Sequence, residues 1–303
     1  MKVAVTGSTG LIGSALANEI VRTGHEVVRL VRKDGALAPG EVAWNPDAGK
    51  INLRGLQGVG MVVHLAGEDI AHGKWNDAKK LRIRNSRVNG TALLSKALAS
   101  MRPRPKVLVS ASAVGYYGNR GSEWLTETSP PGEGFLANVC RDWEAATGVA
   151  AQARIRVVNL RFGVVLSTQG GALGRMLPYF KVGLGGVMGN GRQYISWVTL
   201  EDAVAAILHV MSNRTLNGPV NVTSPEPLTN YRFTKALGAV LALPVILPLP
   251  APVLRLFVGQ MAKELLLASA RVRPAKLMEA GFNFRHPLLD NALKHLLGKG
   301  THH

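Results

Sequence analysis

Cysteine is almost absent from this chain. Cys140 is the single thiol in 303 residues, so no internal disulfide can form and no cysteine cluster can hold a metal ion. That usage fits a reducing compartment, and a cytoplasmic protein is expected. No secretory leader is expected either. Met1-Lys2-Val3-Ala4-Val5 runs directly into a strand pattern, without the charged segment, apolar stretch and small-residue cleavage site that such leaders carry. Between Lys235 and Arg255 no residue is charged, a length close to the ~20 residues of a membrane-spanning helix. Pro244, Pro248, Pro250 and Pro252 interrupt it. Each removes a backbone donor and clashes with the preceding turn, so no membrane span is expected. There is no Gly-x-Ser-x-Gly elbow, His-Glu-x-x-His pair or Gly-x-x-x-x-Gly-Lys-Ser/Thr loop. The chemistries those patterns serve are set aside, and no metal site is expected.

Acidic residues are scarce beside basic ones. The chain has 36 Lys and Arg against 19 Asp and Glu, a net +17, and such a field attracts anions. Nucleic acid is not the expected partner. The densest basic run, Lys79-Lys80-Leu81-Arg82-Ile83-Arg84-Asn85-Ser86-Arg87, has no aromatic run or zinc-type spacing beside it. A solvated helix face, or a site for a phosphorylated small molecule, accounts for it equally well.

What the chain does have is alternation. Lys2 to Thr6 is a short apolar run, a Gly-rich turn follows, and Leu11, Ile12, Ala15, Leu16 and Ile20 then fall on one helical face. Gly24 ends that helix and Glu26 to Val31 resumes a β-rich run, giving a right-handed βαβ unit. Further strands are expected at Met61 to Leu65, Lys106 to Ser110 and Arg156 to Leu160, with helices at about Trp75 to Met101 and Phe135 to Ala153. This is the pattern of an α/β, Rossmann-type, doubly wound parallel sheet. Trp44-Asn45-Pro46-Asp47 reads as a turn in a small hairpin or loop. After Arg161, glycines at 163, 170, 171, 174, 183, 185, 186, 189 and 191 predict a loop-rich stretch. A helix at about Glu201 to Met211 and a strand near Val220 to Val222 return to the sheet. Residues 1–164 with about 198–222 are expected to form the Rossmann domain, and about 165–197 with 223–303 a smaller, mainly helical C-terminal lobe. His302 and His303 resemble a tag remnant and are left aside.

The turn Gly7-Ser8-Thr9-Gly10-Leu11-Ile12-Gly13, preceded by Thr6, carries the first functional signal. In a dinucleotide site the first glycine permits the tight turn, the second lets the backbone approach a pyrophosphate, and the third lets helix and strand pack closely. The helix N-terminus adds free N–H donors and a positive dipole end. An ordinary strand-to-helix turn is the plain alternative, but this turn follows a strand at the extreme N-terminus, opens a helix and is followed by a second strand, which favours the dinucleotide. NAD sites usually place an acid about twenty residues further on. Here the strand ends in Val31-Arg32-Lys33, and Arg32 suits a 2′-phosphate, so the expected cofactor is NADP(H). A solvent-facing Arg32 is the alternative.

With these residues in place, the chain resembles the extended or atypical short-chain dehydrogenase/reductases, NAD-dependent epimerase/dehydratase-like proteins with a small C-terminal domain. Within them it is most similar to the YfcH-like epimerase-family proteins. The resemblance rests on Thr6 to Gly13, His64-Leu65-Ala66-Gly67-Glu68, Ser110-Ala111-Ser112-Ala113-Val114-Gly115-Tyr116-Tyr117-Gly118 and Arg161-Phe162-Gly163-Val164-Val165-Leu166. It continues through Gly183-Leu184-Gly185-Gly186, Gly189 to Gln193 and Ala280-Gly281-Phe282-Asn283-Phe284. It implies a nicotinamide cofactor on the large domain, contacted by Thr6 to Gly13, Arg32, Leu65, Ala66, Gly67, Glu68, Arg87, Arg161, Phe162 and Gly163, and a substrate cleft roofed by the C-terminal lobe.

The resemblance also implies a Ser, a Tyr, a Lys four residues later and an Asn as the proton relay. Ser112 matches the Ser. With Trp143-Glu144 aligned to the family's acidic position, the Tyr falls on Leu136 and the Lys on Cys140, and Arg87 replaces the Asn. Leu136 cannot move a proton, so the proton partner that hydride chemistry needs must be another group. Cys140 is one candidate, its thiol activated by a cation such as Arg87. The favoured reading is plainer, a small buried hydrophobe on a helix, as free Cys usually is. Tyr116 and Tyr117 either donate a proton or pack. Arg87, Arg161 and Arg192 together suit an anionic substrate, although each also suits a salt bridge. Two functions follow: an NADP(H)-dependent oxidoreductase or epimerase on a small carbonyl or hydroxyl compound, or a non-catalytic NADP(H)-binding sensor or partner-binding protein.

Overall fold

The computed structural model describes residues 1–33 and 35–299. The terminal histidines His302 and His303 lie outside the described residues.

The chain opens on β1 (Lys2–Thr6), whose Val3, Ala4 and Val5 are all buried, as a strand covered on both faces requires. Helix α1 (Leu11–Arg22) follows and buries Gly13, Leu16, Ala17 and Ile20. β2 (Glu26–Val31) then pairs parallel with β1. β3 (Glu41–Asn45) continues parallel to β2. It turns through residues 46–49 into the short antiparallel β4 (Lys50–Ile51). Trp44 therefore belongs to a strand and not to the turn. It is buried beside Val42 and Leu56 in the core, and that burial decides its conformation against the turn-forming residues that follow it.

β5 (Val59–His64) pairs parallel with the other side of β1, and β6 (Val107–Ala113) pairs parallel with β5. The full order is Gly218–Val222, Arg156–Phe162, β6, β5, β1, β2, β3, β4. The chain thus leaves β1 in one direction and returns on its other side, a doubly wound α/β sheet of Rossmann type. The topological switch lies between β1 and β5, whose carboxyl ends, Thr6 and His64, are register partners. Ligands of such sheets bind at that crevice.

Helix α2 (Asp77–Ser100) is capped by Asn76, whose side chain accepts from the Lys79 N–H. The expected helix from Phe135 to Ala153 is two, α3 (Phe135–Ala145) and α4 (Gly148–Gln152). The chain turns at Thr147, which folds back on the Glu144 carbonyl. The loop-rich stretch after Arg161 contains a real helix, α5 (Gly171–Lys181), despite its glycines and Pro178. Leu173, Leu177 and Phe180 bury against Phe233 and Leu237, and tertiary burial outweighs poor local propensity. Helix α6 (Leu200–Ser212) follows.

Two compact units result. The first comprises Met1–Ser112, Val139–Leu160 and Ile207–Val220, and the second Ala113–Asn138, Arg161–Ala206 and Asn221–His303. The uncharged run after Lys235 is divided among a helix ending at Leu241, a strand at Leu247–Leu249 and a helix at Ala251–Val258. Among the described residues, no helix is long and apolar enough to cross a membrane.

Candidate functional site

The glycine turn is constrained at both ends. Gly7 has φ +67°, a conformation open to glycine at little cost. A Cβ there would come within 2.9 Å of the Leu65 and Ala66 backbone. A Cβ on Gly13 would collide with the Gly7 carbonyl oxygen, so the third glycine is what lets α1 start this close to β1. Helix α1 begins after its N-cap, Gly10, with no side-chain cap and no acid in its first turn. Its first N–H groups and dipole end therefore suit an anion. Ser8 is buried, while Thr9 and Gly10 are exposed and Leu11 and Ile12 half-buried.

A buried relay fixes the turn against β5. The Thr6 hydroxyl accepts from the Leu65 N–H at 3.1 Å and the Ala66 N–H at 3.2 Å, so its own proton points at His64 Nδ1, 2.7 Å away. His64 must then carry its proton on Nε2 and donate to Thr91 Oγ1 at 2.9 Å. Protonating Nδ1 would set three donors on one hydroxyl. Burial, with Arg32 adding repulsion, accordingly lowers the His64 pKa to about 4. Trp44 meets the ring edge-on at 5.8 Å. Nothing local in the sequence marked His64 or Thr91 for this role, because the contacts are long-range.

The basic run on α2 is largely committed internally. Lys79 Nζ lies 2.7 Å and Arg82 Nε 3.5 Å from Glu68 Oε1, and the hydrogen bond from Lys79 holds Glu68 below its usual carboxylate range. Arg84 donates from both Nη2 and Nε to the single oxygen Asp142 Oδ2, at 2.9 and 3.2 Å. Arg87 turns inward. It donates to the Ile83 and Glu68 carbonyls, each at 3.1 Å, and packs beside Gly67. Burial lowers its pKa from the ordinary guanidinium value, and the neighbouring Cys140 and the acids Glu68 and Asp69 oppose that shift. Its guanidinium lies 5.1 Å from the Trp143 ring centroid. Arg32, just past β2, is exposed and forms no ion pair among the described residues.

Ser112, near the carboxyl end of β6, donates to Glu144 Oε1 at 2.7 Å. Cys140 is buried one helical turn before Glu144 on α3. Thus Ser112, Glu144, Cys140, Trp143 and Arg87 all belong to the first unit. Glu144 served the sequence reading only as an alignment mark. The one available signal was its spacing of four from Cys140, which puts both on one helix face.

The second unit holds the two tyrosines. Tyr117 is buried, its hydroxyl 2.7 Å from Asn221 Oδ1 and 2.9 Å from the Thr126 carbonyl, and it accepts from Arg161 Nη1 at 2.9 Å. Burial pushes its pKa up to about 12. Arg161 stacks 3.5 Å from the Tyr116 ring centroid. Phe162 is buried, and a Cβ on Gly163 would come within 2.5 Å of the Ser196 carbonyl oxygen. Arg192 is exposed in a turn closed by Asn190. Leu136 opens α3, its N–H on Glu264 Oε2 at 2.7 Å.

Comparison with known proteins agrees with this architecture. Residues 3–223 match the NAD dependent epimerase/dehydratase family, and residues 249–296 match a domain of unknown function, DUF1731. The chain is 45% identical over 291 residues to the epimerase family protein Mb2239 of Mycobacterium bovis, covering 96% of each chain. The crystal structure of the human epimerase family protein SDR39U1 (isoform 2) with NADPH superposes with a TM-score of 0.88 at 33% identity, over 98% of this chain and 99% of that one. A nucleoside-diphosphate sugar epimerase from Corynebacterium glutamicum superposes at 0.82 with 38% identity; 98% of this chain spans 58% of that longer one. The chain belongs to the NAD dependent epimerase/dehydratase family.

Proposed function

We propose that this protein binds NADP(H) on its first unit and carries out a carbonyl/hydroxyl redox step, as an oxidoreductase or an epimerase, on a small anionic substrate. The residues present fit the dinucleotide: Gly7 and Gly13 keep open a cradle that a Cβ would fill, and α1 offers an uncapped, acid-free N-terminus. Arg32 would hold the 2′-phosphate, and the human relative solved with NADPH supports that choice. When bound, the nicotinamide supplies or takes the hydride.

The proton side falls to Ser112 and Glu144, and their 2.7 Å hydrogen bond is the observation that carries this reading. Ser112 would hold the substrate oxygen. Glu144 would accept the Ser112 proton as that hydroxyl takes the substrate's own, and return it in the reverse direction. Arg87, charged and turned inward, favours an anionic group. Tyr117 is assigned no proton transfer, since its hydroxyl is committed to Asn221, Thr126 and Arg161.

The test is mass spectrometry of what co-purifies, followed by a screen of carbonyl and sugar-nucleotide compounds for NADPH oxidation or inversion of a stereocentre. Turnover that depends on Ser112 is expected. Bound NADPH without turnover would replace this reading with a cofactor sensor.

A further inference from the structure

Away from the glycine turn, the second unit brings Glu201 together with two histidines distant from it in sequence, His286 and His295. Glu201 lies in the first turn of α6. His286 precedes the helix Leu289–Leu296, and His295 sits in that helix's last turn. His286 Nε2 is 3.0 Å from Glu201 Oε2, and His295 Nε2 is 2.9 Å from Oε1. The imidazoles stack with centroids 4.3 Å apart at 24°. One donor atom from each residue lies within 4.8 Å of the other two.

Each ring sets its Nε2 against a different oxygen of the one carboxylate, giving two imidazole nitrogens and a carboxylate as candidate donors. Ligands bound at about 2.0–2.2 Å in a tetrahedron stand about 3.3–3.6 Å apart. The three donor atoms already lie within 4.8 Å of one another, so closing round an ion needs side-chain shifts of about an ångström. Two imidazoles with one carboxylate favour a first-row divalent ion of the zinc class over Ca²⁺ or Mg²⁺, which take oxygen shells.

The frame is rigid and the mouth is open. Buried Asp202 accepts from the Arg285 N–H at 2.8 Å and the His286 N–H at 3.0 Å, which fixes the loop before His286. Thr199 caps Asp202's own N–H. Leu289, Ala292 and Leu293 are buried and hold the helix that carries His295. The side chains of His286, Glu201 and His295 remain 16%, 41% and 48% exposed, so an ion can enter and water can complete its shell.

We propose that Glu201, His286 and His295 bind one divalent transition-metal ion of the zinc class, clasping α6 to the C-terminal helix. The ligands follow no local spacing pattern, which is why no metal site was expected from sequence.

The test uses full-length protein stripped with EDTA and carrying His302→Ala and His303→Ala, so that the terminal histidines do not contribute. Zn²⁺ is titrated calorimetrically and Co²⁺ by visible absorption. One equivalent of each is expected, with a rise in Tm that Ca²⁺ does not reproduce. Glu201→Gln and His295→Ala, at partly exposed positions, should keep the fold by circular dichroism and weaken Zn²⁺ binding at least about tenfold. His72→Ala, at an exposed histidine, should change nothing. Failure to bind one equivalent, or affinity that neither variant alters, would reduce the cluster to plain imidazole–carboxylate hydrogen bonds and overturn the proposal.

Discussion

The Ser112 hydroxyl is bonded to the Glu144 carboxylate at 2.7 Å, and Glu144 follows Cys140 by one turn of α3. If this pair moves the proton, Glu144→Gln keeps the shape and removes the acceptor. With a substrate found by the screen, kcat should fall about 100-fold or more, while NADPH affinity stays within twofold. An unchanged kcat would remove Glu144 from the mechanism.

The proposed cofactor choice rests on Arg32, exposed past the end of β2. A hydrogen bond to a charged group contributes about 1.5–3 kcal/mol, so Arg32→Ala should weaken NADPH binding by roughly 10–100-fold and leave NADH binding nearly unchanged. Fluorescence titration with both nucleotides measures this. Equal losses for the two would sink the assignment.

The sheet was legible in sequence because β1, β2, β5 and β6 are short apolar runs, and such runs announce themselves locally. Helix α5 was not, since Gly171, Gly174 and Pro178 speak against a helix and only its packing on Phe233 and Leu237 speaks for it. The same split governs the site. The glycine turn and Arg32 are contiguous or regularly spaced signals. The Ser112–Glu144 bond and the Thr6–His64–Thr91 relay are tertiary pairings of residue types that usually mean nothing alone.

Gly13 has no room for a side chain, because its Cβ would strike the Gly7 carbonyl oxygen. Gly13→Ala must push α1 away from β1, an overpacking cost of about 1–3 kcal/mol. Urea unfolding should show that loss, and NADPH binding should weaken with it as the turn opens. A variant as stable as the parent, binding equally well, would show that the turn tolerates the shift.

His64 makes stability depend on pH in a definite window. Its pKa is about 4 when folded against an ordinary 6.5, so between those values the unfolded chain binds a proton that the folded chain refuses. Stability from this group is therefore full above about pH 6.5, falls as pH drops toward 4, and reaches its maximum loss below that, on the order of 3 kcal/mol for such a shift. Carboxylates titrate in the same range, so the informative quantity is the difference between the parent and His64→Gln. The variant should start less stable at pH 8, having lost the bonds to Thr6 and Thr91, and should then lose less stability between pH 6.5 and 4 than the parent does. Parallel urea midpoints across that range would mean that His64 accepts its proton when folded, and that the Thr6 hydroxyl is not locked on its Nδ1.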